Sequence, residues 1–168
     1  MAQTFNADEI LEIAEQIERN GAAFYRKAAE NTALADARQM LLDLAEMEDK
    51  HERIFIGMHQ ELRREHPDWL SESFAIENED EPRLYLRAVA EGKVFGVGGD
   101  PSEKLSGDET LEEVLQIALG LEKDSILYYA AMRSTVPQPT GREKIDEIIL
   151  EEMRHVRMLS DELNRLAG

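Results

Sequence analysis

Apolar side chains recur at Ile10, Leu11, Ala14, Ile17, Ala22 and Tyr25, close to the 3.6-residue period of a helix that buries one face. This predicts a first helix over residues 8–31, and Asn6 with Glu9 three residues later forms a capping-box pattern at its start. The same period predicts a second helix over 35–65. Pro67 closes it, because proline lacks the amide donor and clashes with the preceding turn. A third helix is predicted over 109–133, following Ser106 with Glu109 three residues on. A fourth is predicted over 142–167, following Thr140 with Glu143 three residues on, and the Pro137–Gly141 stretch separates the two.

The joins between these helices are unequal. Asn31–Ala33 and Ser134–Gly141 are short, and short joins make antiparallel neighbours. Residues 66–108 form a long crossover in which Pro82–Glu91 reads as a short helix and Gly96–Pro101 as loop. A 30-residue helix is roughly 45 Å long, a distance that such a crossover can retrace. The pattern predicts an all-α protein with one domain over 1–168. Two antiparallel hairpins joined by a long crossover with a short helix make the ferritin-like four-helix bundle, not an up-down-up-down one. A chain of 168 residues suits one domain that buries roughly 70% of its unfolded surface.

Composition narrows the chemistry. The chain has no cysteine, which excludes a disulfide framework, a thiolate iron–sulfur or rubredoxin-type iron site, a zinc finger and a cysteine nucleophile. With 36 acidic against 19 basic side chains and a formal charge of −17, its surface repels phosphates, so a nucleic-acid partner is not expected. Met1–Asp8 has neither the basic nor the apolar region of a signal peptide, and no run approaches the length of a membrane span. A soluble cytoplasmic protein is the expectation.

The two halves of the chain match at an offset of 104 residues: Ile13 with Ile117, Ala14 with Ala118, Phe24 with Tyr128, Tyr25 with Tyr129, and Leu44 with Ile148. Such matches are expected of any two amphipathic helices. Glu18 with Glu122, Glu48 with Glu152 and His51 with His155 are different, because an ionisable group repeated within an apolar stripe is desolvated twice. Glu48-Asp-Lys-His51 and Glu152-Met-Arg-His155 are Glu-x-x-His units, whose two side chains share a helix face. A single such unit on an acidic helix is a weak signal. Here both units lie 30 residues after a glutamate that precedes a tyrosine by seven. One glutamate from each of two helices plus Glu-x-x-His from the other two is the constellation of di-iron or di-manganese carboxylate sites. Four carboxylates balance two divalent cations, and two neutral imidazoles complete a donor set suited to iron or manganese.

The remaining polar residues have more ordinary readings. Tyr25 and Tyr129 either donate to a ligand carboxylate on a facing helix or fill core space beside Phe24 and Tyr128. Asp36, Asp43, Asp146 and Arg154 are alternatives for holding the outer imidazole nitrogens. Asp43, Glu46, Glu52, Glu147 and Glu151 read as a solvated acidic face, His59 and His66 as surface or structural residues, and Met40, Met47 and Met153 as core filling.

Glu18-Arg-Asn-Gly-Ala-Ala-Phe-Tyr25 with Glu48-Asp-Lys-His51, and Glu122-Lys-Asp-Ser-Ile-Leu-Tyr-Tyr129 with Glu152-Met-Arg-His155, together resemble the rubrerythrin branch of the ferritin-like superfamily. The resemblance implies two iron ions per chain, bridged by Glu48 and Glu152. Glu18 and His51 would cap one iron, and Glu122 and His155 the other. It implies reduction of hydrogen peroxide by cycling between diferrous and diferric states, or oxidation of ferrous iron by oxygen, in a homodimer. Two departures matter. Typical members carry a rubredoxin-like domain with a four-cysteine iron, whereas this sequence ends at Gly168 without cysteine, so a separate electron-donor protein, such as a rubredoxin-like one, is expected. Typical members also have a further glutamate three residues after the third-helix ligand, where this chain has Ser125, with Gly21 as its first-half counterpart. The reading outside this chemistry is a non-enzymatic helical scaffold or partner-binding protein.

Overall fold

The computed structural model describes residues 6–67, 80–92, 99–135 and 139–168. Helix α1 is Ala7–Glu30, and its capping box is complete. The Glu9 amide donates to the Asn6 side chain at 3.0 Å, and the Asn6 amide donates to the Glu9 carboxylate at 3.1 Å. Helix α2 is Ala35–Glu65. Within the crossover, α3 is Glu81–Ala90, with Pro82 in its first turn and Asp80 accepting from the Arg83 amide at 3.1 Å. A 3₁₀ turn over Pro101–Lys104 follows, then α4 (Leu111–Thr135) and α5 (Pro139–Ala167).

Two starts differ from the pattern reading. Helix α4 begins at Leu111 because the chain presents two cap-like sequences in succession. At the first, Glu109 accepts from the amides of Ser106 and Gly107, but Gly107 has φ +101°, a left-handed conformation that stops a helix from propagating. The second, Thr110 with Glu113, forms the reciprocal bonds of a capping box at 2.8 and 3.2 Å, and the helix starts there. Helix α5 begins at Pro139 rather than after Thr140, since the fixed φ of proline suits a first helical position. The 3₁₀ turn is a further addition to the crossover.

Neighbouring helices run antiparallel. Along α1 and α2, Arg26 pairs with Asp49, Arg19 with Glu52 and Arg63 with Asp8. Along α4 and α5, Arg133 pairs with Asp146 near the turn, and His155 meets Glu122 farther along. Because Tyr25 meets Glu122 while Tyr129 meets Glu18, α4 also opposes α1 and is therefore parallel to α2. Consecutive parallel helices require a return along the bundle, which the crossover provides. These contacts give an all-α, ferritin-like four-helix bundle. Among the described residues no helix is long and apolar enough to cross a membrane.

Among the described residues the core divides into two apolar clusters. One contains Phe55, Leu86, Tyr128, Met132, Ile145 and Ile148, and the other Phe24, Leu41, Leu44, Leu115 and Leu159, all fully buried. Tyr128 ties α4 to α1 by donating to the Ile10 carbonyl at 2.8 Å. Leu86 and Val89 bury α3 against the first cluster, with Tyr85 packed beside them, so this part of the crossover covers its own bundle. The other large apolar residues of the crossover, Trp69, Leu70, Phe74, Val94 and Phe95, which by sequence either cover the bundle or form a dimer face, lie outside the described residues. Met40 and Met47 pack against the second cluster, whereas Met153 is half exposed and fills no core. Leu86→Ala should cost about 2–5 kcal/mol of stability through the lost side chain and the cavity left behind. Chemical denaturation checks this, and an unchanged midpoint would show that α3 is not integral to the bundle.

Candidate metal centre

The six repeated groups meet in one buried layer. Glu18 comes from α1, Glu48 and His51 from α2, Glu122 from α4, and Glu152 and His155 from α5, with Tyr25 of α1 and Tyr129 of α4 beside them. None of the six glutamates and histidines is more than 5% exposed. Donor atoms of Glu18, Glu48, His51 and Glu152 lie within 4.8 Å of one another, as do those of Glu48, Glu122, Glu152 and His155. The two groups share Glu48 and Glu152. Glu152 stands between the imidazoles, with one oxygen 2.7 Å from His51 Nδ1 and the other 3.0 Å from His155 Nδ1. The imidazole rings are 5.8 Å apart, centre to centre.

Hydrogen bonds from outside orient this layer. The Tyr25 hydroxyl donates to Glu122 and the Tyr129 hydroxyl donates to Glu18, so each phenol serves the glutamate of the other half. Burial raises both phenols well above their ordinary range, and Glu122 and Glu18 respectively push the same way, so each phenol keeps its proton. His51 Nε2 lies 2.8 Å from Glu151 Oε2, which in turn accepts from Lys50 at 3.2 Å.

Glu151 is therefore not part of a solvated acidic face. It holds the outer nitrogen of His51, and none of the four residues considered for that task does so for either imidazole. Asp36 and Arg154 are exposed, Asp43 accepts from Gln39, and Asp146 pairs with Arg133. The missed signal was position. Glu151 precedes a Glu-x-x-His glutamate on the side of α5 that meets α2. His59 is a buried structural link between Asp8 and Glu15, at 2.6 and 2.7 Å.

The donor set leaves an imbalance that a cation fits. Seven buried atoms of Glu18, Glu48, His51, Glu152 and His155 have no hydrogen-bond partner, and the described residues outside the layer add only Tyr85 Oη. Buried polar atoms are normally paired, and six of these seven, all but the outer His155 Nε2, face one interior point, which suits an ion. Burial pushes the Glu48 carboxyl well above its usual range, reinforced by Glu152, Glu18 and Glu122. Burial and Glu152 raise Glu122 to about 8 against the pull of His155. Burial disfavours charge on both imidazoles, yet the carboxylates beside them outweigh it and raise His51 to about 11 and His155 to about 9. Burial also raises Glu152, but His155, His51 and Glu122 override it and hold that carboxyl below the usual carboxylate range.

A family model described as rubrerythrin matches residues 9–94, slightly more than half of the chain. The chain belongs to the rubrerythrin family. It is thus a member of a di-iron-carboxylate oxidoreductase family, and the matched segment holds Glu18, Glu48 and His51. Of solved structures, this rubrerythrin-family chain is similar to a protein from Thermotoga maritima described as ferritin-like and diiron-carboxylate. The TM-score is 0.70 and the identity 26%, over 98% of both chains, which carries the likeness through α4 and α5. A search of curated proteins finds no match.

A cavity of about 270 Å³ reaches the layer between α1, α3 and α4. Its walls include Ile13, Ile17, Val89 and Leu121, with Gln16, Asn20 and Asp124 as polar groups, and Tyr25, Glu48 and Glu122 reach it from the layer. Gly21 and Ser125 also line it. A Cβ at Gly21 would stand 3.2 Å from Glu48 Oε2, so glycine lets the carboxylate approach the α1 backbone. The Ser125 hydroxyl turns back to the Leu121 carbonyl at 3.0 Å.

The protonation pattern gives a test. At pH 7 the raised Glu122, His51 and His155 hold protons in the metal-free layer, and loading it with two divalent ions should release about three. Apparent affinity should rise with pH most steeply below 8 and less steeply as Glu122 and then His155 lose their protons, near 8 and 9. A pH-stat titration with Mn(II) measures both quantities. Binding without proton release would contradict the assignment of these groups.

Proposed function

We propose that this protein is a non-haem di-iron oxidoreductase that reduces hydrogen peroxide to water, taking electrons from a separate donor protein. The observation that carries the reading is the pair of donor groups sharing Glu48 and Glu152, with the cavity opening onto Glu48 and Glu122. Glu48 and Glu152 would bridge two irons, with Glu18 and His51 capping one and Glu122 and His155 the other; manganese is the other metal that suits this donor set. When bound, the irons supply two electrons to the O–O bond, and two protons are needed to release two waters.

The protein's own groups handle access and protons. The cavity brings a small oxidant to one side of the layer, while the apolar clusters above and below exclude bulk water. Tyr25 lies on the cavity wall and keeps its proton at Oη, bonded to Glu122, where it is placed to share that proton with an oxygen species in the cavity. Gly21 and Ser125 leave the approach open. We read residues 1–168 as one working domain, and since they hold no cysteine for a rubredoxin-type iron, its electrons come from outside this domain.

Ferrous iron oxidation is the second reading, favoured by Asp124 on the cavity wall of a protein with net charge −17, which draws cations. Rapid mixing of the anaerobic, iron-loaded protein with one equivalent of peroxide or of oxygen separates the two. Peroxide should oxidise two irons per chain far faster than oxygen does. Equal rates would favour ferrous oxidation, and no oxidation by either would remove both readings.

Two variants probe the approach. Gly21→Val should crowd Glu48 and fill the cavity, slowing peroxide oxidation at least tenfold with helicity retained. An unchanged rate would show that the oxidant arrives elsewhere. Ser125→Glu should raise peroxide turnover if the missing carboxylate limits it, and unchanged kinetics would discard that limit.

A further inference from the structure

The two imidazoles are held differently. His51 Nε2 faces Glu151 Oε2 at 2.8 Å, so its outer N–H is held there and Nδ1, which faces Glu152 at 2.7 Å and Glu18 at 3.5 Å, is the nitrogen left for a metal. Glu151 is itself steadied by Lys50. A carboxylate behind an imidazole sets the tautomer and the ring orientation and makes the inner nitrogen more basic. His155 also turns Nδ1 toward carboxylates, with Glu152 at 3.0 Å and Glu48 at 3.3 Å. Its outer Nε2, however, is buried and has no acceptor among the described residues.

The internal repeat differs at the corresponding position. At the offset of 104 residues, the chain Lys50–Glu151–His51 maps onto Arg154–Met47–His155. The lysine has a basic counterpart and the histidine is repeated, but the carboxylate is replaced by a thioether. Met47 packs against the second apolar cluster, and a thioether is only a weak acceptor.

We propose that the two metal positions are unequal, and that Glu151 makes the position at His51 the tighter one while Met47 leaves the position at His155 weaker. This rests on the metal-centre reading above. The outer N–H of His51 is held by Glu151 before an ion arrives, whereas that of His155 is buried without an acceptor among the described residues when its Nδ1 binds an ion. Metal therefore loads in order, and at one ion per chain the His51 position is filled. Glu151 acts as a positioning residue through His51, and Met47 decides the difference between the halves.

Titration of the metal-free full chain with Co(II), followed by visible absorption and calorimetry, tests this. The wild type should bind two ions in two steps whose dissociation constants differ about 10–100-fold, the usual effect of an outer partner on a metal-bound histidine. Glu151→Ala should weaken the tighter step by a similar factor and leave the weaker one in place, while Met47→Glu should tighten the weaker step. His51→Ala should remove the tight step, and His155→Ala the weak one. Thermal melting of each metal-free variant shows whether it folds, and Glu151→Gln, which keeps an acceptor oxygen, should recover part of the loss. Two equal steps in the wild type, or equal weakening of both steps by Glu151→Ala, would overturn the inequality while leaving the centre intact. Absence of Co(II) binding would overturn the centre and the inequality together.

Discussion

Everything in this bundle is arranged around four carboxylates and two imidazoles buried in a single layer. Isolated charges at such depth are strongly unfavourable, so the layer needs compensation from protons, hydrogen bonds or cations. The first two forms are visible. Burial and mutual repulsion raise Glu48 and Glu122, while both imidazoles are held toward the charged form by the carboxylates around them. Tyr25 and Tyr129 supply outer hydrogen bonds, and seven atoms of the layer remain without partners. The apolar clusters on either side make this arrangement rigid, and they also remove the water that would otherwise solvate it.

The topology follows from the same requirement. Donors must come from four helices at one level, and each half of the chain contributes a glutamate followed 30 residues later by Glu-x-x-His. Placing the second half antiparallel to the first across the layer lets Tyr25 reach Glu122 and Tyr129 reach Glu18. That makes α4 parallel to α2 and imposes the crossover. Function then enters where the two halves stop being alike. Gly21 and Ser125 keep one side of the layer open to a cavity, and Glu151, whose repeat counterpart is Met47, gives His51 an outer partner that His155 lacks among the described residues.

Much of this was legible in the sequence because it is written locally. Helical periodicity and the Asn6–Glu9 capping box mark α1 to within a residue at each end. The groups of the central layer stand out because polar residues recur in register on apolar stripes. Local signals misled where two of them competed. Ser106–Glu109 and Thr110–Glu113 are equally good caps on paper, and the left-handed backbone at Gly107 decides between them. Glu151 was obscured for another reason. Its partner lies 100 residues away on α2, and in an acidic sequence one more surface glutamate carries no distinguishing mark. Which phenol serves which glutamate likewise depends on how the halves pack, which a repeat does not specify.

The most direct test of the central claim is an anomalous-scattering crystal structure of the protein loaded anaerobically with Mn(II). Two peaks per chain are expected, both touching Glu48 and Glu152, one also contacting Glu18 and His51 and the other Glu122 and His155. A layer that stays free of anomalous signal at saturating Mn(II), or ions bound only at surface carboxylates, would contradict the claim that these six side chains are buried together to hold a pair of metals.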